Sequence, residues 1–562
     1  MIDLVPSMAL LPVLVFPLLL LAMVALRVTR AAAMRLVPWA ALPALVAAVI
    51  VADGGLRLPG VLLNGMLTLD ATGRAFLLLN AVLWLASGLL DGFREQSAAT
   101  VQRALFYLLA MTGAVGMTLA GDAMMFFTAT TLAGYALYGW LVSGADAATQ
   151  RAGKLLVMLL VVSDLLVFEV LLLLGHTAGE TGFPALRAAF QVAESQGLLL
   201  GLLIAGFGIK SGVIGLHVWM RPVFETGRIA LLPVLTGFAI SGLLGWLRLL
   251  PLGEITWPVA GDALQWLAWI GLGYAVLAGT VQSRYRALLV YAVIALSGLW
   301  LSALGTALRY QQAWGVLFET ILATAPQAGF VLSALLLSER GIKTGIPAWR
   351  VRFTACLLLL AAATLVLAPL GGAMMIAAID ADGMRQMYGV AAVITFIFTR
   401  TLLLFMSGKN TQAAIHVDED SAAPVLLLAG VLAVGALLIA VDTIAGMPLA
   451  ELQWPVLVII VAAFFGWLSV AALAWITPVT GFPGLRAAVD RRIGAVADSS
   501  RALLDMQSLR RLEVGLRLAR RSWLAPGRWS VADRMEHGFK RWHTAMIMLV
   551  ILGGLLAWLS GN

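Results

Sequence analysis

The chain has 562 residues, of which 61% are hydrophobic and only 12% charged, with a formal net charge of +8. A soluble chain of this length carries roughly twice that share of charge, so the composition excludes a large water-soluble catalytic domain and describes a polytopic membrane protein. Cys356 is the single cysteine and the five histidines are scattered, which excludes a disulfide, a cysteine-held cluster and a zinc site.

No glycine-rich nucleotide loop or nucleophile motif occurs. No cofactor, no metal and no catalytic residue are therefore expected in this chain, and any redox chemistry belongs to partners. A span needs about 20 apolar residues. On that basis sixteen spans are expected, near residues 8–26, 36–52, 72–90, 104–120, 122–143, 155–175, 198–220, 229–250, 264–281, 287–305, 313–337, 353–379, 388–405, 424–441, 455–477 and 542–560. The first run lacks a basic leader and a small-residue cleavage site, so it reads as a retained helix.

The connections follow a rhythm. Arg27, Arg30 and Arg35 follow the first span, Arg94 and Arg103 the third, Arg151 and Lys154 the fifth, Arg221 and Arg228 the seventh, Arg284 and Arg286 the ninth. The alternate connections hold acids such as Asp53, Asp70, Glu180 and Glu254. By the positive-inside rule the basic loops are cytoplasmic, and both termini are expected in the periplasm of a bacterial inner membrane.

The seventh span contains the most informative residue. Of five lysines, Lys154, Lys343, Lys409 and Lys540 fall in polar connections, whereas Lys210 stands within an apolar stretch. A charge at mid-membrane costs about 2.5–3.5 kcal/mol on insertion scales, so such a group is a functional candidate by default. Glycines at 206, 208, 212 and 215 favour a broken helix beside a polar cavity. Asp164 and Glu169 on the sixth span are the nearest carboxylates in sequence, and either could answer the lysine, as a titrating pair or as a structural ion pair. His217 follows Lys210 by seven residues, about two turns of an unbroken helix. It is a candidate proton carrier, against the plainer alternative of a satisfied polar residue near a helix end. Glu319 is a further deep carboxylate, which could stand in chemically for a histidine or pair with a cation such as Arg248 or Arg400. Arg248 and Arg400 are read as structural charges, since arginine does not release its proton in this setting.

Between Gly484 and Arg541 there are thirteen Arg/Lys against six Asp/Glu. Leu485, Val489, Ile493, Val496, Leu503 and Met506 recur at mostly helical steps, with arginines between them. The pattern predicts an amphipathic helix lying along the membrane against anionic lipid or a partner subunit, rather than a solvated linker helix, because the apolar stripe needs a surface to cover. Nucleic acid is not an expected partner, because membrane spans flank the segment.

Several strings carry a family resemblance. Gly208-Ile209-Lys210-Ser211-Gly212, followed by Leu216-His217-Val218-Trp219, is similar to a broken seventh helix that continues "PLHxWLP". Ser241 to Arg248 resembles the end of the eighth helix. Gln282 to Tyr291 is similar to "QxDxKRLLAY", and Thr399 to Phe405 resembles "FRLIF". With sixteen spans and a lateral helix before the last, the chain resembles the antiporter-like membrane subunits of respiratory complex I, of membrane-bound hydrogenases and of Mrp-type cation/proton antiporters. The resemblance implies an all-α bundle with broken helices near Lys210 and Pro369. It divides the chain into N-terminal helices (1–120), an antiporter-like core (121–410), C-terminal helices (411–480), the lateral helix (481–541) and a final span (542–562).

In that family a glutamate on helix five pairs with the helix-seven lysine, and further bases on helices eight, eleven and twelve pass the proton on. This sequence departs from the pattern. The helix-five position falls at or near Thr128, the helix-eight positions near Val234 or Ile240, the helix-eleven positions at Glu319, Ala323 and Gln327, and the helix-twelve lysine at Ile376. Only Lys210 survives of the relay. The resemblance implies a subunit of a multisubunit complex that takes part in proton or cation translocation driven by its partners. Two alternatives stay open: a scaffold and docking subunit with a degenerate relay, or the membrane half of an inorganic-carbon uptake system. The partners implied are other membrane subunits, lipid, and a soluble redox protein or a zinc carbonic-anhydrase-like protein.

Overall fold

The computed structural model describes residues 8–60, 65–91, 93, 97–282 and 285–315, with scattered helical positions as far as 397. Expectations for Glu319, Arg400, the break near Pro369, the last spans and the lateral helix lie outside the described residues.

Helices fill each of the first ten expected spans. They are α1 (Leu11–Ala25), α2 (Arg30–Leu36) with α3 (Leu42–Ile50), α4 (Ala71–Asp91), α5 (Ala98–Thr118), α6 (Ala123–Val142) and α7 (Ala147–Ala178). A short α8 (Phe183–Val192) precedes α9 (Gln196–Ser211), α10 (Met220–Thr226), α11 (Leu231–Leu249), α12 (Pro258–Val281) and α13 (Tyr285–Arg309). Seven of these are long and apolar enough to cross a membrane alone. The second expected span is instead a pair of helices bent by 40°. Pro38 and Pro43 flank the bend, and neither supplies a backbone N–H to continue one helix into the next.

Capping residues set several helix starts. Ser97, Asp122 and Asp146 accept hydrogen bonds from the backbone N–H groups of Thr100, Met125 and Thr149, which satisfies donors that a helix N-terminus leaves open. Asp122 also accepts from Met66 N at 2.6 Å. That bond anchors a hairpin that hydropathy alone does not reveal. β1 (Gly54–Arg57) pairs antiparallel with β2 (Met66–Leu69), Leu56 opposite Leu67. The Thr68 and Gly121 amides extend the pairing to residues 119–121.

Close helix contacts follow the small residues. Gly261 on α12 faces Gly305 on α13, and a methyl on either would press on the other's carbonyl oxygen. The Gln265 amide beside them donates to the Ser302 carbonyl at 2.8 Å and the Thr306 hydroxyl at 2.7 Å, and accepts from the Ser302 hydroxyl at 2.9 Å. Buried amides fully engaged across a helix pair act as local fasteners where water is absent. Another polar knot joins α4, α5 and α6. There Arg103 pairs with Asp91 at 3.3 Å, and the Trp140 indole donates to the same carboxylate.

Candidate functional site

The approach of α7 to α9 is set by one small residue. A Cβ on Gly206 would meet the Val167 side chain at 2.7 Å and the Ser163 carbonyl at 3.3 Å. The Ser163 hydroxyl donates to the Gly206 carbonyl at 2.7 Å. One residue further along α7 and one turn further along α9, the Lys210 ammonium donates to Asp164 Oδ1 at 2.8 Å. Lys210 is 2% exposed and Asp164 is 7% exposed, so water does not shield this pair. Of the two carboxylates that could answer the lysine, Asp164 does so. Glu169 stands on the exposed face of α7.

The α6 side chain beside the pair is Tyr135, whose hydroxyl sits next to the Asp164 carboxylate. Thr128 is exposed on α6, so it does not face the lysine, and the carboxylate comes from the following helix instead.

α9 ends at Ser211, one residue past the lysine, as the glycines predict. Gly212 has φ +77° and Gly215 φ +83°, a backbone region costly for side-chain-bearing residues. Ending a helix inside the bundle frees carbonyls that must find donors. The Gly208 carbonyl accepts from the Gly212 and Val213 amides at 2.9 and 3.0 Å. The Ile209 carbonyl accepts from the Trp219 indole at 2.7 Å. The Gly212 carbonyl accepts from the Ser297 hydroxyl on α13 at 3.3 Å. Lys210 therefore lies in the last turn of α9, where the helix dipole favours a cation.

The chain then turns through a 3₁₀ segment, His217–Trp219, before α10. The break removes the geometry on which two unbroken turns from Lys210 to His217 depended. His217 is buried, with its ring 5.1 Å from the Tyr274 ring, and Tyr274 lies 5.9 Å from Tyr291.

α11 closes the other side. Gly242 meets the Phe207 carbonyl and the Ser211 hydroxyl, and Gly245 meets the Phe207 ring, so neither position has room for a methyl. Val234 and Ile240 are buried and apolar. Basic residues of helix eight thus have no counterpart at those positions. Arg248 lies at the far end of α11 and pairs with Asp70. Its guanidinium also lies 5.6 Å from the Phe183 ring centre. Sequence reading gave Arg248 a structural charge role without finding Asp70, because 178 positions separate the two. Among the described residues, no three His, Cys, Asp or Glu side chains converge as a metal site.

Residues 120–370 match the family described as NADH:quinone oxidoreductase/Mrp antiporter, transmembrane. The chain is 24% identical over 319 residues to NADH-quinone oxidoreductase subunit N of Maricaulis maris, covering 54% of this chain and 65% of that one. It is 28% identical over 217 residues to the corresponding subunit of Desulfovibrio desulfuricans, covering 36% and 43%. The matched segment thus spans less than two thirds of these relatives. Among solved structures, the Mrp complex from Dietzia sp. aligns with a TM-score of 0.64 at 16% identity, over 92% of this chain and 62% of that one. An archaeal membrane-bound sulfane sulfur reductase aligns with a TM-score of 0.58 at 16% identity, over 78% and 98%. At such identities the likeness is one of fold.

Proposed function

We propose that this chain, an antiporter-like membrane subunit of the NADH:quinone oxidoreductase/Mrp type through residues 120–370, serves a multisubunit inner-membrane complex by moving protons through the Lys210–Asp164 pair. The observation that carries the reading is the 2.8 Å contact between the two side chains at the broken end of α9. An opposite charge stabilises an ammonium in a dry site, and its withdrawal favours the neutral amine. If α9 and α7 separate at this point, the Lys210 Nζ hands a proton to water on one side and takes one back from the other before the pair closes again. The Tyr135 hydroxyl beside Asp164, and the buried His217, Tyr274 and Tyr291 side chains, are polar groups that could serve such a path. By loop charge, His217 and both tyrosines belong to its cytoplasmic half and both termini to the periplasm. Partner subunits supply the driving reaction.

A second reading has its own support. Val234 and Ile240 leave α11 without the family's bases, which favours a scaffold subunit that retains the ion pair for folding alone. Nothing in the described residues favours the inorganic-carbon alternative over these two. The test is proton uptake by the purified complex in sealed vesicles. Lys210→Ala is expected to abolish coupled uptake while the complex still assembles, and normal uptake by the assembled variant would leave the scaffold reading in place.

A further inference from the structure

α7 carries two carboxylates that face different ways. Asp164 turns inward to Lys210. Glu169 is five residues on, about 140° further round a helix, and stands exposed. Its neighbours on that face are Met158, Val161, Leu165, Phe168 and Leu172, between 37% and 63% exposed. They run over four turns, about 21 Å, most of a hydrocarbon core roughly 30 Å thick. Lipid tails suit these apolar side chains and cannot answer a carboxylate. Glu169 also lies within the expected span 155–175, six residues or about 9 Å short of its end, where headgroups serve a carboxylate poorly.

We propose that this face is the docking surface for another membrane subunit, whose transmembrane helix sets a lysine or arginine against Glu169 and apolar side chains against the rest. The inference rests on the reading of the chain as part of a complex, and not on proton passage through Lys210. Charge selects the occupant. A second copy docking by a two-fold axis on the same face would bring the two Glu169 carboxylates together. Arg151 and Lys154, exposed at the cytoplasmic end of the same stripe, repel a partner that is basic along its whole length. The fitting helix is basic at one level only.

The test places a photoreactive benzoylphenylalanine at Leu165 in the full chain, expressed with its native partners. The expected adduct is to a different membrane chain, at a helix with a lysine or arginine within one turn of the labelled site. Glu169→Lys should lower the adduct by about tenfold or more, and a glutamate in place of the partner's cation should restore it. Glu169→Gln, which introduces no repulsion, should lower it less. Adducts only with lipid, with a second copy or with a later segment of this chain overturn the proposal, as does an unchanged yield in Glu169→Lys. A wild-type chain that purifies alone defeats the reading as a subunit. A wild-type complex that Glu169→Lys leaves intact defeats only the docking surface.

Discussion

Arg248 holds Asp70 with both arms of its guanidinium, Nη1 to Oδ2 at 2.5 Å and Nη2 to Oδ1 at 2.9 Å. The contact ties the end of α11 to the residue between the hairpin and α4. Burial alone would raise the Asp70 pKa, but the hydrogen bond and charge of Arg248 outweigh it and hold the carboxyl below its ordinary 3.8. A depressed carboxylate contributes stability above its unfolded pKa and loses it as the pH falls through the folded value. The melting temperature of the detergent-purified protein should therefore fall below about pH 4. Asp70→Asn should unfold earlier at neutral pH and show a shallower acid loss. Equal acid slopes for the two proteins would remove Asp70 from this role.

The Lys210–Asp164 pair separates transport from folding through a set of variants. Asp164→Asn leaves a buried ammonium without its counter-charge and should cost about 3–5 kcal/mol of stability. Lys210→Met combined with Asp164→Leu removes both charges and should recover most of that loss, since apolar replacement of a buried pair is often neutral. Proton uptake should stay absent in the double variant. Recovery of uptake together with stability would show that the pair only holds helices together.

Trp219→Phe removes the indole N–H that the Ile209 carbonyl accepts from, and keeps most of the ring. An orphaned buried acceptor costs about 1–3 kcal/mol. The expected result is a lower melting temperature and faster amide hydrogen exchange in residues 209–213. Exchange unchanged there would mean that other donors hold the end of α9.

Gln265→Leu tests the fastener between α12 and α13. It loses three buried hydrogen bonds and leaves Ser302 and Thr306 to bond within their own helix. In membranes such side-chain contacts are worth roughly 0.6–2 kcal/mol. A drop in melting temperature without loss of coupled uptake is expected, because the site lies outside the Lys210 region.

Much of this was legible in the sequence, for reasons that differ by residue. The break after Lys210 could be read because Gly212 and Gly215 have no side chain to oppose positive φ, and because a lysine in an apolar stretch needs a polar answer. The choice between Asp164 and Glu169 could not be read. On α7 the inward residues Leu156, Leu160 and Val167 are as apolar as the outward Met158, Val161 and Leu165, since lipid accepts the same side chains as a helix interface. Hydropathy therefore carried no sign of which face turned inward. The hairpin escaped notice because each strand has only four residues and its anchor, Asp122, is itself a helix cap. The departure at helix five was legible as a missing glutamate, with two sixth-span carboxylates left to choose between. That a neighbouring helix supplies the counter-charge depends on packing at Gly206 and Ser163, distant in sequence.

The end of α9 is secured by donors drawn from its own turn, from Trp219 and from Ser297 on another helix. A displacement of the α9 backbone at this end must give up these bonds and find other donors for the same carbonyls. Intermediate backbone positions would leave polar groups bare in an oily interior. A helix end fastened from three directions resists small displacements, so the backbone beneath Lys210 is held still while its side chain keeps its rotamer freedom.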